Sequence, residues 1–239
     1  MSTAPLVFVL TSAPGPLPLS VAEGLVQQGF AVRLLVMGTR AASGAGRLAE
    51  YGWWFMARRA VDRLVERAWL LRNRALARRH PPAPIAPRDW RALVARVGAE
   101  RPVALVTSVL NDILPRRVLD LPVAALNVHP APLPGWRGPN PIYWMLRERA
   151  TPLGYAVHAL SRAIDEGPVF LQREIARPHL PLRVLVELAI ARDVRAHIGP
   201  LLERILDGRA NGVPQTGAGR YWPQPTLANL RSAANPSPR

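Results

Sequence analysis

Two short apolar runs, residues 6–11 and 31–37, flank a stretch, 19–28, whose apolar positions recur at helical spacing. Strand, helix, strand in that order predicts a β-α-β opening with parallel pairing, because the crossover helix returns the chain to the same sheet. Further apolar runs at 103–107, 123–128, 155–160 and 169–174 predict more strands, and 88–99 and 182–206 predict helices. The pattern specifies an α/β fold with a doubly wound, mostly parallel twisted sheet and helices on both faces. Residues 1–217 are expected to form one domain. Residues 218–239, rich in Gly, Pro, Ser and Asn, are expected to form a largely irregular tail.

Between residues 53 and 79 the apolar side chains Trp53, Ala57, Ala60, Val61, Leu64, Ala68, Leu71 and Ala75 fall on one helical face, and arginines supply much of the rest. The ordinary expectation for such a helix is that the stripe docks on the sheet. The alternative is an interfacial helix on an anionic membrane, or a partner-binding helix, with Trp53, Trp54 and Phe55 as its aromatic anchor.

Composition narrows the classes. No apolar run approaches the roughly 18 residues of a membrane span, and the first residues lack the basic and apolar regions of a secretory signal. A cytoplasmic protein is expected. Cysteine is absent, so disulfides and thiolate metal sites are excluded, and no metal site is expected. The net charge of +15 is carried by Arg alone, since the chain has no Lys. Such an excess can steer a protein toward nucleic acid, anionic lipid or phosphorylated substrates. A solvated Arg-rich surface is the plainer reading.

The turn at residues 12–16 lies at the carboxyl end of the first strand, where open α/β sheets place ligands, but it lacks the glycines and lysine of a phosphate loop. The densest polar cluster is Asn127-Val-His129-Pro-Ala-Pro-Leu-Pro-Gly-Trp-Arg137-Gly138, at the end of an apolar strand. Because strand side chains alternate, Asn127 and His129 point to the same side. A second cluster runs from His158 to Asp165 and the Gly167-Pro168 turn, where Asp165 could equally be a turn residue.

Together, in this order, the two clusters resemble the folate-dependent formyltransferases, a family that includes glycinamide ribonucleotide formyltransferase and methionyl-tRNA formyltransferase. The family pattern is Asn-x-His-Pro-Ser-Leu-Leu-Pro, a basic residue and Gly, then His, and seven residues later Asp in an Asp-x-Gly turn. This chain supplies Asn127, His129, Pro130, Leu133, Pro134, Arg137, Gly138, His158, Asp165 and Gly167. The resemblance extends back through residues 101–114. Ala131-Pro132 replaces the usual Ser-Leu, and Gly154-Tyr155-Ala156 stands where Gly-Val-Thr is common.

What the resemblance implies is transfer of a formyl group from 10-formyltetrahydrofolate to a primary amine. Asn127 and a protonated His129 would stabilise the oxyanion. Asp165 would raise the His129 pKa and relay the proton. Leu110, Asp112, Leu114, Ser161 and Ile164 would contact the folate, and His158, Arg137 and Gly138 the acceptor or the loop that holds it. Methionyl-tRNA formyltransferase carries a further RNA-binding domain after its catalytic one, and about 60 residues follow 169–174 here. A small, sugar-linked or lipid-linked amine is therefore expected in preference to tRNA. Water in place of the amine would make the same residues a formyltetrahydrofolate deformylase. A non-catalytic membrane- or nucleic-acid-binding protein on this fold is the reading from a different class.

Overall fold

The structure, a computed structural model, is described for residues 4–38 and 44–229. Seven strands form one sheet. Five of them, β1 (Leu6–Thr11), β2 (Ala31–Met37), β3 (Ala83–Ile85), β4 (Ala104–Ser108) and β5 (Ala124–His129), are parallel. The last two, β6 (Leu153–Ala159) and β7 (Val169–Ile175), are antiparallel additions, giving the order β3-β2-β1-β4-β5-β6-β7. The expected strands are present with ends shifted by at most two residues. The short β3 was not anticipated, because Pro84 sits at its centre; on an edge strand the missing N–H interrupts no ladder.

Side-chain alternation divides the core between the two faces of the sheet. On β1, Val7 and Val9 join the cluster under α1 (Pro16–Gln27) and α7 (Arg183–Leu206), whereas Phe8 and Leu10 join the cluster under α4 (Trp90–Glu100). All four are fully buried, as a central parallel strand covered on both faces requires. Helices therefore lie on both sides, and the fold expected from the pattern is the one found.

The amphipathic stretch forms α2 (Gly44–Arg72) and α3 (Arg74–Arg79), with a kink at Gly52. Here the docked-stripe expectation is overturned. All eight residues of the stripe are exposed, with Trp53 at 70%, Leu64 at 65% and Leu71 at 61%. The opposite side seats the helix, through Asp62 and Glu66 paired with Arg183 of α7 and through partly buried Trp69 and Leu70 packed on the core. Periodicity identifies a stripe; it does not say which way the stripe faces.

The described part of the tail is mostly irregular but folded back. Trp222 is buried, stacks on Trp136 at 4.9 Å between ring centroids, and donates its indole N–H to the Gly135 carbonyl. Tyr221 bridges to Arg137, and residues 227–229 form a helical turn. Residues 230–239 of the expected tail lie outside the described residues.

Candidate active site

Sheet register builds the centre of the site. Thr107 of β4 pairs with Asn127 of β5, and Asn127 pairs with His158 of β6, so three polar side chains stand in one row across three strands. Thr107 Oγ1 donates to Asn127 Oδ1 over 2.8 Å. That contact fixes the amide, turning Nδ2 toward His158 Nε2 at 3.1 Å. His158 Nδ1 donates to the Ala159 carbonyl over 2.8 Å, and its Nε2, beside the amide, also lies 3.5 Å from Asp165 Oδ1.

Asp165 arrives over this row from the β6–β7 connection. Its backbone is left-handed, with φ of 55°, a conformation that Asp tolerates better than most residues. The following Gly167 lies so close to the end of β6 that a Cβ would stand 1.9 Å from the Ala159 carbonyl oxygen. Only a residue without a side chain lets the turn close there. The carboxylate is then held on both oxygens. Asn127 Nδ2 donates to Oδ1 over 3.4 Å, and the Gly138 N–H donates to Oδ2 over 2.8 Å. Gln215 Nε2 donates to the main-chain carbonyl of Asp165.

His129, one step along β5, lies on the same side, as alternation requires. Its Nε2 donates to the Trp136 carbonyl over 2.7 Å, so Nδ1 is the nitrogen that faces Asp165 Oδ2, at 3.5 Å. In the neutral ring these are two acceptors facing one another across a gap that a proton would fill. Burial pushes the His129 pKa down and outweighs Asp165, which pulls it up, with the Trp136 carbonyl also favouring the cation. Asp165 thus acts on His129 in the expected direction, but burial is the larger effect and the net shift is downward. For Asp165 burial works upward, but a hydrogen bond from His158, the charge that His129 carries when protonated and the Gly138 N–H prevail and hold it below the usual carboxylate range.

These groups line a cavity of about 330 Å³. Asn127, His129, Gly138, His158 and Asp165 meet along its wall, and Leu110, Asp112, Leu114, Ser161 and Ile164 line the end formed by the β4–α5 connection, ahead of α5 (Arg116–Leu119), and the loop after β6. Arg137 is not part of the lining. Its guanidinium is bound to Gln215 and Glu166, where it braces the loop rather than facing the cavity. The other end, beside α6 (Pro141–Arg147), is lined by Leu17, Asn140, Arg183, Glu187 and Gln224. Arg183 is ion-paired there with Asp62, Glu66 and Glu187.

Three contributors were missed in the sequence. Thr107 reads as an ordinary strand residue, and its role follows only from strand register. Gln215 and Trp222 lie 50 and 57 residues beyond Asp165, in a region whose composition suggests no structure. The adjacent aromatics Tyr221 and Trp222 were the signal available, since a large indole in an otherwise polar tail generally finds a packing partner.

A family model described as Formyl transferase matches residues 86–177, which span every polar group of the row together with His129 and Asp165. Over 120 residues the chain is 36% identical to methionyl-tRNA formyltransferase of Anaeromyxobacter dehalogenans, covering 48% of this chain and 38% of the relative. Over residues 86–177 the chain is therefore similar to the formyl transferase family. Its members matched by sequence are longer, and this chain spans 25% to 52% of their length. Two solved structures share the fold. HypX of Aquifex aeolicus in complex with tetrahydrofolic acid has a TM-score of 0.63 at 16% identity, covering 93% of this chain and 30% of that one. Phosphoribosylglycinamide formyltransferase of Anaplasma phagocytophilum has a TM-score of 0.62 at 16% identity, covering 92% and 97%.

Proposed function

We propose that this chain transfers a formyl group from 10-formyltetrahydrofolate to a primary amine of a small, sugar-linked or lipid-linked acceptor, with Asn127, His129 and Asp165 as the catalytic residues. The observation that carries the reading is the Asp165 carboxylate held 3.5 Å from the buried His129 ring and beside the Asn127 amide at the wall of a cavity with an apolar end. That end fits a flat heterocycle: Leu110, Leu114 and Ile164 offer apolar contact, and the main chain around Asp112 and Ser161 offers donors and acceptors for its edge. When bound, the donor supplies the formyl carbon and a nitrogen leaving group.

The residues divide the work as follows. The Asn127 amide, pinned by Thr107, turns an N–H from its long contact with Asp165 to the formyl oxygen as charge develops there. His129 Nδ1 takes the proton shed by the attacking amine, because it carries the free lone pair. Asp165, 3.5 Å away, stabilises the imidazolium as it forms, and that imidazolium adds its charge to the oxyanion site before returning the proton to the departing nitrogen. Asp165 thereby serves the proton transfer through His129. At the opposite end of the cavity Asn140, Gln224 and Glu187 are placed to orient the acceptor.

The test is tetrahydrofolate formation from 10-formyltetrahydrofolate, measured without amine and with panels of amino sugars, amino acids, aminoethyl lipids and aminoacyl-tRNA. Amine-dependent release is the expected result, and Asn127→Ala should lower it by about 100- to 1000-fold. Release that is independent of amine would make the protein a deformylase. A second reading, aminoacyl-tRNA as acceptor, is favoured by the 36% identity to methionyl-tRNA formyltransferase. Formylation of charged tRNA above every small amine in the panel would select it.

A further inference from the structure

We propose that the outer face of α2 and α3 is a docking surface for an anionic lipid bilayer. The eight-residue apolar stripe from Trp53 to Ala75 faces away from the domain on the part of α2 that follows the Gly52 kink and into α3. An isolated exposed apolar residue needs no explanation, but a continuous exposed stripe on one helical face marks an interaction surface.

The charges around the stripe select the partner. Arg63 and Arg67 flank one edge and Arg72 the other, with Arg78 following on α3. All four are exposed and form no salt bridge among the described residues. The helix's two central acidic residues, Asp62 and Glu66, are turned inward to Arg183, so their charge does not offset the rim. A second copy of the chain would set arginine edges against arginine edges, which is repulsive. Trp53 and Trp54 argue against a single partner helix. Adjacent helical residues stand about 100° apart, so both indoles cannot enter one helix–helix seam, yet both are exposed, at 70% and 63%. A bilayer surface accommodates the two, since Trp settles at the headgroup level while Leu64 and Leu71 enter the acyl boundary and the arginine heads reach lipid phosphates.

The helix is firmly held in this orientation. Phe55 packs edge-on against Tyr143 of α6 at 5.5 Å, and Asp62 also accepts from the Val184 N–H at the start of α7. Docking therefore requires no rearrangement of the domain. It brings the bilayer to the outside of the helix whose inner side backs the cavity wall at Arg183.

Flotation of the full chain with phosphatidylcholine vesicles, and with vesicles that also contain phosphatidylglycerol, tests the proposal. The expected result is flotation with the anionic vesicles only, weakened by salt. Leu64→Glu with Leu71→Glu should abolish it, and each of Arg63→Gln and Arg67→Gln should weaken it about fivefold, the effect of one basic residue at an anionic surface. Circular dichroism and formyl transfer should be unchanged in all of these, because the side chains touch neither the core nor the cavity. Absence of flotation would overturn the proposal, as would flotation that survives the Leu64→Glu, Leu71→Glu change. A concentration-dependent dimer that the same change dissolves, without vesicle binding, would assign the stripe to a second copy instead.

Discussion

Thr107 Oγ1 donates to Asn127 Oδ1 across 2.8 Å, and this bond determines which end of the amide is presented to Asp165. A reversed amide would place Oδ1 against the carboxylate and leave no donor for a developing oxyanion.

Thr107→Val keeps the shape of the strand residue and removes the hydroxyl. Loss of a net contribution of about 1 kcal/mol predicts roughly five- to tenfold lower kcat/KM, carried by kcat, with folate affinity little changed. Thr107→Ser, which retains the donor, should restore most of the rate. Equal rates for Val and wild type would show that the amide is oriented by other contacts.

The pH dependence follows from His129 and its neighbour Asp165. In the proposed mechanism His129 must be neutral to accept the amine's proton, and burial holds its pKa below the ordinary 6.5. The rate should therefore be level at neutral pH and fall with acid only below that value. Asp165→Asn removes a group that pulls the His129 pKa upward, so the residual activity should show its acid limb at still lower pH. A limb centred above 6.5 in the wild type would contradict the neutral resting ring.

Trp222 holds the 135–138 loop by ring stacking on Trp136 and by its bond to the Gly135 carbonyl. That loop supplies the Trp136 carbonyl to His129 and the Gly138 N–H to Asp165. Gly138 itself, at φ of 101° and with the Trp222 carbonyl 2.4 Å from where a Cβ would sit, has no room for a side chain. Trp222→Ala should cost about 3–5 kcal/mol of stability and lower kcat even at temperatures where the protein remains folded. Urea unfolding and steady-state rates on the same sample check both halves.

Arg183 lies among three carboxylates, those of Asp62, Glu66 and Glu187. Burial raises the Glu187 pKa and Arg183 works against it, so the cluster depends on that guanidinium. Arg183→Leu should destabilise the fold by about 3–5 kcal/mol, measured by urea unfolding. The double change with Glu187→Leu should recover part of the loss; no recovery would mean that packing, not charge, is what the arginine contributes.

Much of the fold was legible because its strands are covered on both faces and so appear as unbroken apolar runs, as Leu6–Thr11 and Ala104–Ser108 do. The centre of the site was legible because Asn127 and His129 obey strand alternation and Asp165 sits in a turn motif. The direction of the Trp53–Ala75 stripe was not. A helix seated by Asp62 and Glu66 presents its polar side inward, and only the position of Arg183, more than a hundred residues away in sequence, reveals this. Separation in sequence, 50 and 57 residues from Asp165, also hid Gln215 and Trp222. The burial of His129 was hidden for a different reason: a charge partner can be read from a motif, but the depth of burial that works against it cannot.

The account rests on a site built for a reduced folate beside Asn127, His129 and Asp165. Calorimetric titration of the wild-type chain with 5-formyltetrahydrofolate, a stable analogue of the donor, tests this without needing the acceptor. Saturable binding to one site per chain is predicted, weakened by Leu114→Asp at the apolar end and nearly unchanged by Asn127→Ala. Absence of binding by the folded wild-type protein would contradict the account.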